Sequence, residues 1–353
     1  MAHDIKNIKH GDSAPVQEFK KVLPGLIIAV LIGGVAFGSS TMLDYPAADS
    51  LLVALVLGII ARSVMDQQEK LTPGFTAAPA FLLPVGIVFY GGSNLNFATL
   101  KEIDTPLLVL LVIIMIVYFA VVLFLGKLLN QKREITYLTA SGSAVCGASA
   151  IAVTSPAVRA EPDDISISLL SVAVAAFFGF TVIMPFLAAL FDMTCKNYCM
   201  LSGSVVQFTG LVKISGQLLP FLRTEHPQEH WISLALSLKA VRYLALLVAI
   251  PLFASLIRNK FYIPWLLWAF LAAGLLGTWA AVSSPHVYRT TLVPVVKVIH
   301  LFSWSTAMAA IGLNANVRGM LSMQGSKALL MAFAGFMAAI ATFFLGVKVI
   351  QLF

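Results

Sequence analysis

The sequence predicts an all-α polytopic membrane protein. Three observations carry that prediction. Of the 353 residues 59% are apolar, with a mean hydropathy of +0.92. Only 11% are charged, against roughly 25% in soluble domains. The apolar residues also come in runs near the roughly 20 residues that an α-helix needs to cross a bilayer, separated by short polar breaks that leave no room for a soluble domain.

Residues 1–21 form a polar N-terminal tail carrying Lys6, Lys9, Lys20 and Lys21. Residues 22–353 read as one transmembrane domain, with a first half over about 22–192 and a second over about 199–353. Eleven spans are expected, near 22–39, 48–65, 79–93, 105–129, 135–155, 164–191, 199–221, 232–257, 262–282, 289–312 and 326–351. The first run exceeds the roughly 7–15 residues of a signal-peptide core and is expected to stay as an anchor. With the N-terminus inside, 14 Lys and Arg fall on inner segments and 5 (Lys101, Arg159, Arg223, Arg289 and Lys348) on outer ones. That bias predicts a cytoplasmic N-terminus, an outside C-terminus and an inner-membrane location. A miscounted or re-entrant segment is expected to erode it.

The net charge of +7 is spread singly over loops, so nucleic acid is not an expected partner; the lipid bilayer is. Three cysteines make no disulfide framework, and Cys195 and Cys199 stand one turn apart with no His or third Cys beside them. Neither a metal nor a cofactor is expected. Internal similarity is visible twice: "YGGSNLNFATL" at 90–100 against "IGLNANVRGML" at 311–321, and 167–190 against 232–256. Duplication of this kind is common in secondary transporters.

Four cations remain within spans: Lys213, Lys239, Arg242 and Lys297, with His300 one turn beyond the last. The acids fall in loops or at span ends. An intramembrane charge costs about 3 kcal/mol on insertion scales and usually marks a functional cavity. Such a cluster has three outlets: an anionic ligand, solvating carbonyls and water, or loss of a lysine proton. Arg242 cannot take the third, and an anion is the economical partner. Lys239 and Arg242, at i and i+3, project to one side of their helix. Gln207, Gly210, Lys213 and Gln217 make a polar stripe on another. Snorkelling to the interface is the alternative for Lys213 and Lys297.

Residues 141–150, "SGSAVCGASA", carry almost no side chain. Gly142 and Gly147 interrupt a helical span, which would expose backbone N–H groups to an anion, with Ser141, Ser143 and Ser149 adding hydroxyls. Tight helix packing through small residues explains the stretch equally well.

From "GSAVCGASAI" to "SPAVRAE", and again in the K-x-x-R of Lys239 and Arg242 with Pro251, in "IPW" at 263–265 and in "AMAAIGLNANV" at 307–317, the sequence resembles the YeiH-type sulfate exporter family over nearly its whole length. That family is similar to the bile-acid-symporter and sodium/proton-antiporter group. The resemblance implies inverted five-helix repeats, broken helices crossing near the midplane, and a core moving against a scaffold that often dimerises. The chain departs from the family where Gln207, Phe208 and Leu211 replace a His, an acid and a Gln, and where Ser155 replaces a Glu before Pro156. Carboxylate-based proton or sodium coupling therefore does not carry over.

The expected function is secondary transport of a small anion, sulfate or a related sulfur oxoanion by resemblance, through alternating access. Lys239 and Arg242 would neutralise it. Ser143, Cys146, Gly147 and Ser149 would supply donors, Gln207, Lys213, Asn94 and Asn314 would complete the cavity, and Lys297 and His300 would serve coupling. A sodium- or proton-coupled carrier of an organic acid is the alternative. An intramembrane enzyme is the remote one, since no nucleophile motif accompanies the serines.

Overall fold

The computed structural model describes residues 14–42, 49–65, 70–94, 103–218, 229–315 and 323–350. Lys6, Lys9, Lys101, Arg223 and Arg318, together with much of both asparagine segments, lie outside these residues. Among the described residues the chain is helical, without strands. Its helices are α1 (Ala14–Met42), α2 (Ser50–Val64), α3 (Thr72–Asn94), α4 (Thr105–Leu128), α5 (Arg133–Ala144), α6 (Ala148–Val158), α7 (Pro162–Phe178) continuing through a π turn into α8 (Met184–Leu190), and α9 (Cys195–Val205). They are followed by α10 (Thr209–Leu218), α11 (Glu229–Arg242) continuing through a 3₁₀ turn into α12 (Leu246–Arg258), α13 (Trp265–Ser283), the short α14 (Pro285–Val287), α15 (Val293–Asn314) and α16 (Met323–Ile350).

Eight helical stretches among the described residues are long and apolar enough to cross a membrane. Helix α4 shows why such a stretch forms. It starts after Asp104 with Pro106 in its first turn, and Leu107, Leu110, Leu111, Ile114, Tyr118 and Val122 turn inward at helical spacing. Val109, Ile113, Ile116 and Phe124 of the same helix are exposed apolar residues, as lipid contact requires. Helices α1, α2, α3, α13 and α15 pack into one group, and α4, α7 and α16 into another. Small residues set the closest approaches. A Cβ on Gly58 of α2 would meet the Ala309 carbonyl at 2.4 Å, and one on Gly312 of α15 the Leu55 carbonyl at 2.3 Å.

Two of the eleven expected spans are not single helices. The stretch 135–155 is a helical hairpin: at its base the ammonium of Lys132, just before α5, contacts Glu161 and Asp164, just after α6, both at 2.9 Å. Near the tip, Gly142 of α5 faces Ile151 of α6, where a Cβ would approach the Ile151 side chain to 2.8 Å. Helix α7 then runs beside α5, with the Ser168 hydroxyl donating to the Ile135 carbonyl at 3.3 Å. The stretch 199–221 also folds back, since Ser215 of α10 sits beside Cys199 of α9. Helix α9 rises parallel to α11, with Lys196 over the Trp231 ring at 5.4 Å and Gly203 against Ala235. Each hairpin leaves on the face it entered, and the faces are opposite because α7 and α8 separate them. The expected break at Gly142 also moves: this residue stays helical, and the chain turns at 145–147.

The cation bias did not reveal the hairpins because two cancelled crossings change only the stretch between them. With two fewer crossings Arg159 and Lys196 would exchange faces, and the totals would stay the same.

Burial alone would lower the pKa of Lys132; the hydrogen bonds it donates to Asp164 and Glu161, and the charges of these carboxylates, instead hold it above the ordinary lysine range. A raised lysine pKa contributes stability that is complete below the unfolded value, about 10.4, and is lost as pH rises through the folded value. Lys132→Met is therefore expected to unfold at lower temperature than wild type at neutral pH, with the difference vanishing as the ammonium loses its proton under strongly alkaline conditions. Thermal unfolding of both proteins across that range checks this.

Candidate functional site

The hairpins meet at their tips, Val145–Gly147 and Val206–Phe208. Each tip leaves two kinds of helix end in the protein interior. Helices α5 and α9 end there with carbonyls that have no intrahelical donor, and α6 and α10 begin there with N–H groups that have no intrahelical acceptor, that of Ala150 reaching the Cys146 thiol. The carbonyl ends are taken by the two cations of α11, both fully buried. The Lys239 ammonium donates to the carbonyls of Val145 at 2.7 Å and Val206 at 2.8 Å. The Arg242 guanidinium donates through Nε to Ala144 at 3.0 Å and through Nη2 to Ser143 at 3.1 Å. Its Nη1 donates to Val206 at 2.8 Å and Gly203 at 3.4 Å. Of the three outlets for buried cations, the structure uses solvating carbonyls. Two C-terminal helix ends, each about half a negative charge, stabilise the pair in place of a carboxylate.

One sequence pattern builds both carbonyl ends. Residues 141–145 read SGSAV and residues 202–206 read SGSVV, and Val145 and Val206 supply the two carbonyls that Lys239 bridges. The small side chains let α11 come close: a Cβ on Gly203 would lie 2.5 Å from the Ala235 carbonyl.

The N-terminal ends stay accessible. Around them almost everything is buried, but Ser149 of α6 and Thr209 and Gly210 of α10 are partly exposed. The Thr209 hydroxyl shares a hydrogen bond of 3.0 Å with the Tyr243 hydroxyl, and the Tyr90 hydroxyl donates to the Cys146 thiol at 3.6 Å with Ser149 beside it. The Tyr90 and Tyr243 rings stand 5.7 Å apart, edge to face. Tyr90, from the α3 group, thus closes the tips of the hairpin group.

The expected site residues divide accordingly. Cys146, Gly147 and Ser149 are at the first tip. Ser143 contributes its carbonyl to Arg242, while its hydroxyl is buried. Gln207 is buried at the second tip, where its Nε2 donates to the Tyr118 hydroxyl at 2.9 Å and ties the tip to α4. It precedes α10, so the polar stripe expected from Gln207 through Lys213 is interrupted at its start. Lys213 is exposed on the returning arm, and Lys297 is exposed on α15. His300 is buried, its ring 5.4 Å from Tyr90 and 5.5 Å from Trp304, so it supports Tyr90 from behind. Of the two asparagines, Asn94 stands one turn beyond Tyr90, with its Nδ2 donating to the Tyr90 carbonyl at 3.4 Å. Asn94 ends α3 near Gly92, whose carbonyl accepts from Tyr288 at 3.4 Å, and Asn314 ends α15 at the opposite face. Tyr90, Thr209, Tyr118 and Tyr243 were not among the expected residues.

Helices of membrane-spanning length around two opposed hairpins define a multi-pass membrane protein. Within that class, the chain belongs to the family described as Conserved hypothetical protein 698, whose model matches residues 24–332. It is similar to a UPF0324 membrane protein of Archaeoglobus fulgidus, 29% identical over 97% of either chain. It is also similar to the UPF0324 inner membrane protein YeiH of Escherichia coli K12, 25% identical over 88% of this chain and 89% of the relative. No solved structure matches it.

Proposed function

We propose that the protein is a secondary transporter of a small oxoanion, sulfate or an organic sulfonate, held between the N-terminal ends of α6 and α10. The observation that carries this reading is the sorting of helix ends at the tips. Lys239 and Arg242 neutralise both carbonyl ends, while both N-terminal ends keep partly exposed hydroxyl-bearing residues, Ser149 and Thr209. The local field is positive and its donors converge, which suits an anion. On this reading Lys239 and Arg242 act through charge and position, and the hydroxyls and N–H groups touch the ligand. Opposed hairpins with matching tips also support an inverted repeat and alternating access. The cation bias supports a cytoplasmic N-terminus with nine crossings.

Counterflow of labelled sulfate into proteoliposomes tests the reading. Ser149→Ala with Thr209→Val is expected to lower the initial rate at least about tenfold, since each loses a hydrogen bond to a charged ligand, with the thermal unfolding temperature preserved. Flux in the double variant equal to wild type overturns the site. Replacing sodium by choline is expected to leave flux unchanged, because the Lys239 ammonium already sits between the Val145 and Val206 carbonyls. Strict sodium dependence would favour the organic-acid symporter alternative.

A further inference from the structure

A cavity of about 230 Å³ opens between α6, α12 and the start of α13, on the face where Lys132 closes the first hairpin. Its walls are apolar, among them Ile87, Val153, Ile250 and Phe270, and Arg258 is the one charged residue lining it among the described residues. The Arg258 guanidinium carbon lies over the Tyr262 ring, 3.6 Å from its centroid, and its buried Nε has no hydrogen-bond partner among the described residues. A buried guanidinium N–H left unpaired is costly, which makes it ready to accept an anionic partner.

The cavity leads toward the tips. Ile87 lies one helical turn before Tyr90 on α3, and Val153 one turn after Ser149 on α6. Phe270 stacks on the Tyr90 ring with centroids 6.4 Å apart. Tyr90 and Phe270 thus form the partition between the cavity and the hairpin tips.

We propose that this cavity is the antechamber of the tip site, in which Arg258 captures organic oxoanions that carry an apolar body, alkanesulfonates in the first place. The inference rests on the reading of the tips as an anion site and adds the substrate class. Inorganic sulfate gains nothing from apolar walls and loses hydration among them. A sulfonate with a short alkyl chain gives its charged end to Arg258 and buries its chain against Ile87, Val153 and Ile250. The volume is several times the roughly 30 Å³ share of one water, enough for such a molecule.

Ile250→Cys places a thiol in the wall, and residues 243–258 contain no native cysteine, so modification there is read by peptide mass. Two methanethiosulfonate reagents, one carrying a sulfonate and the other a trimethylammonium group, are compared on the purified protein. The anionic reagent is expected to react about tenfold faster, and the ratio to fall to near one when Arg258→Gln is added. Butanesulfonate is expected to slow the reaction at concentrations where sulfate does not. Equal rates with Arg258 present, or a ratio indifferent to Arg258→Gln, overturns the proposal. Protection by acidic phospholipid but not by butanesulfonate also overturns it, making the cavity a lipid seat. Labelling does not depend on transport, so failure of the tip site appears in counterflow alone and failure of the antechamber in labelling alone.

Discussion

Arg242→Ala is expected to unfold the centre of the protein rather than merely silence it. The guanidinium satisfies carbonyls of Ser143, Ala144, Gly203 and Val206, drawn from both hairpins. Removing it leaves those acceptors buried and Lys239 alone against two helix ends. The cost of breaking a buried charged network is about 3–5 kcal/mol, a large part of a protein's stability. Size-exclusion profile and thermal unfolding in detergent read this directly. Arg242→Lys recovers only part of the loss, because an ammonium with three donors on one atom cannot serve the four carbonyls that the planar fork holds. A fully stable Arg242→Ala protein would mean that the hairpins hold each other without the cation.

Gly147→Ala is expected to have the second largest effect. Gly147 has φ +66° and ψ −122°, outside the regions open to residues with a Cβ. Its N–H donates to the Gly142 carbonyl at 2.9 Å, which closes α5 before α6 begins. An added methyl would also press on the Phe208 ring of the opposite tip at 3.1 Å. Strain of about 1–3 kcal/mol at the residue, added to that contact, displaces the two tips from each other. Transport is expected to fall by at least about a hundredfold while Ala148→Gly, one residue on, has a much smaller effect. Counterflow on both variants, normalised to folded protein, checks the contrast.

Much of this fold was legible in the sequence because hydropathy reports burial in lipid. Hydropathy does not report direction. Two arms of 12 and 11 residues, α5 and α6, together have the length of one crossing, and a window summed over them cannot tell a return from a passage. The signal that distinguishes them is the pattern SGSAV at 141–145 and SGSVV at 202–206, which places small residues where a third helix must reach exposed carbonyls. Lys239 and Arg242 were recognisable as intramembrane cations one turn apart. Their partners were not, because backbone carbonyls leave no trace in residue identity. Tyr90 and Thr209 were hidden for another reason: they become site residues only when α3 and the second tip meet around the first.

Among the described residues Lys239 and Arg242 are held by carbonyls rather than carboxylates, which has an electrical consequence. Two positive charges belong to the hairpin core, and on the proposed reading a bound anion offsets them, a sulfate both and a monovalent sulfonate one. The loaded core then changes face with less net charge than the empty core. Each charge moved through the full field is worth about 2.3 kcal/mol per 100 mV, so membrane voltage would act more strongly on the return of the empty carrier than on the passage of its cargo.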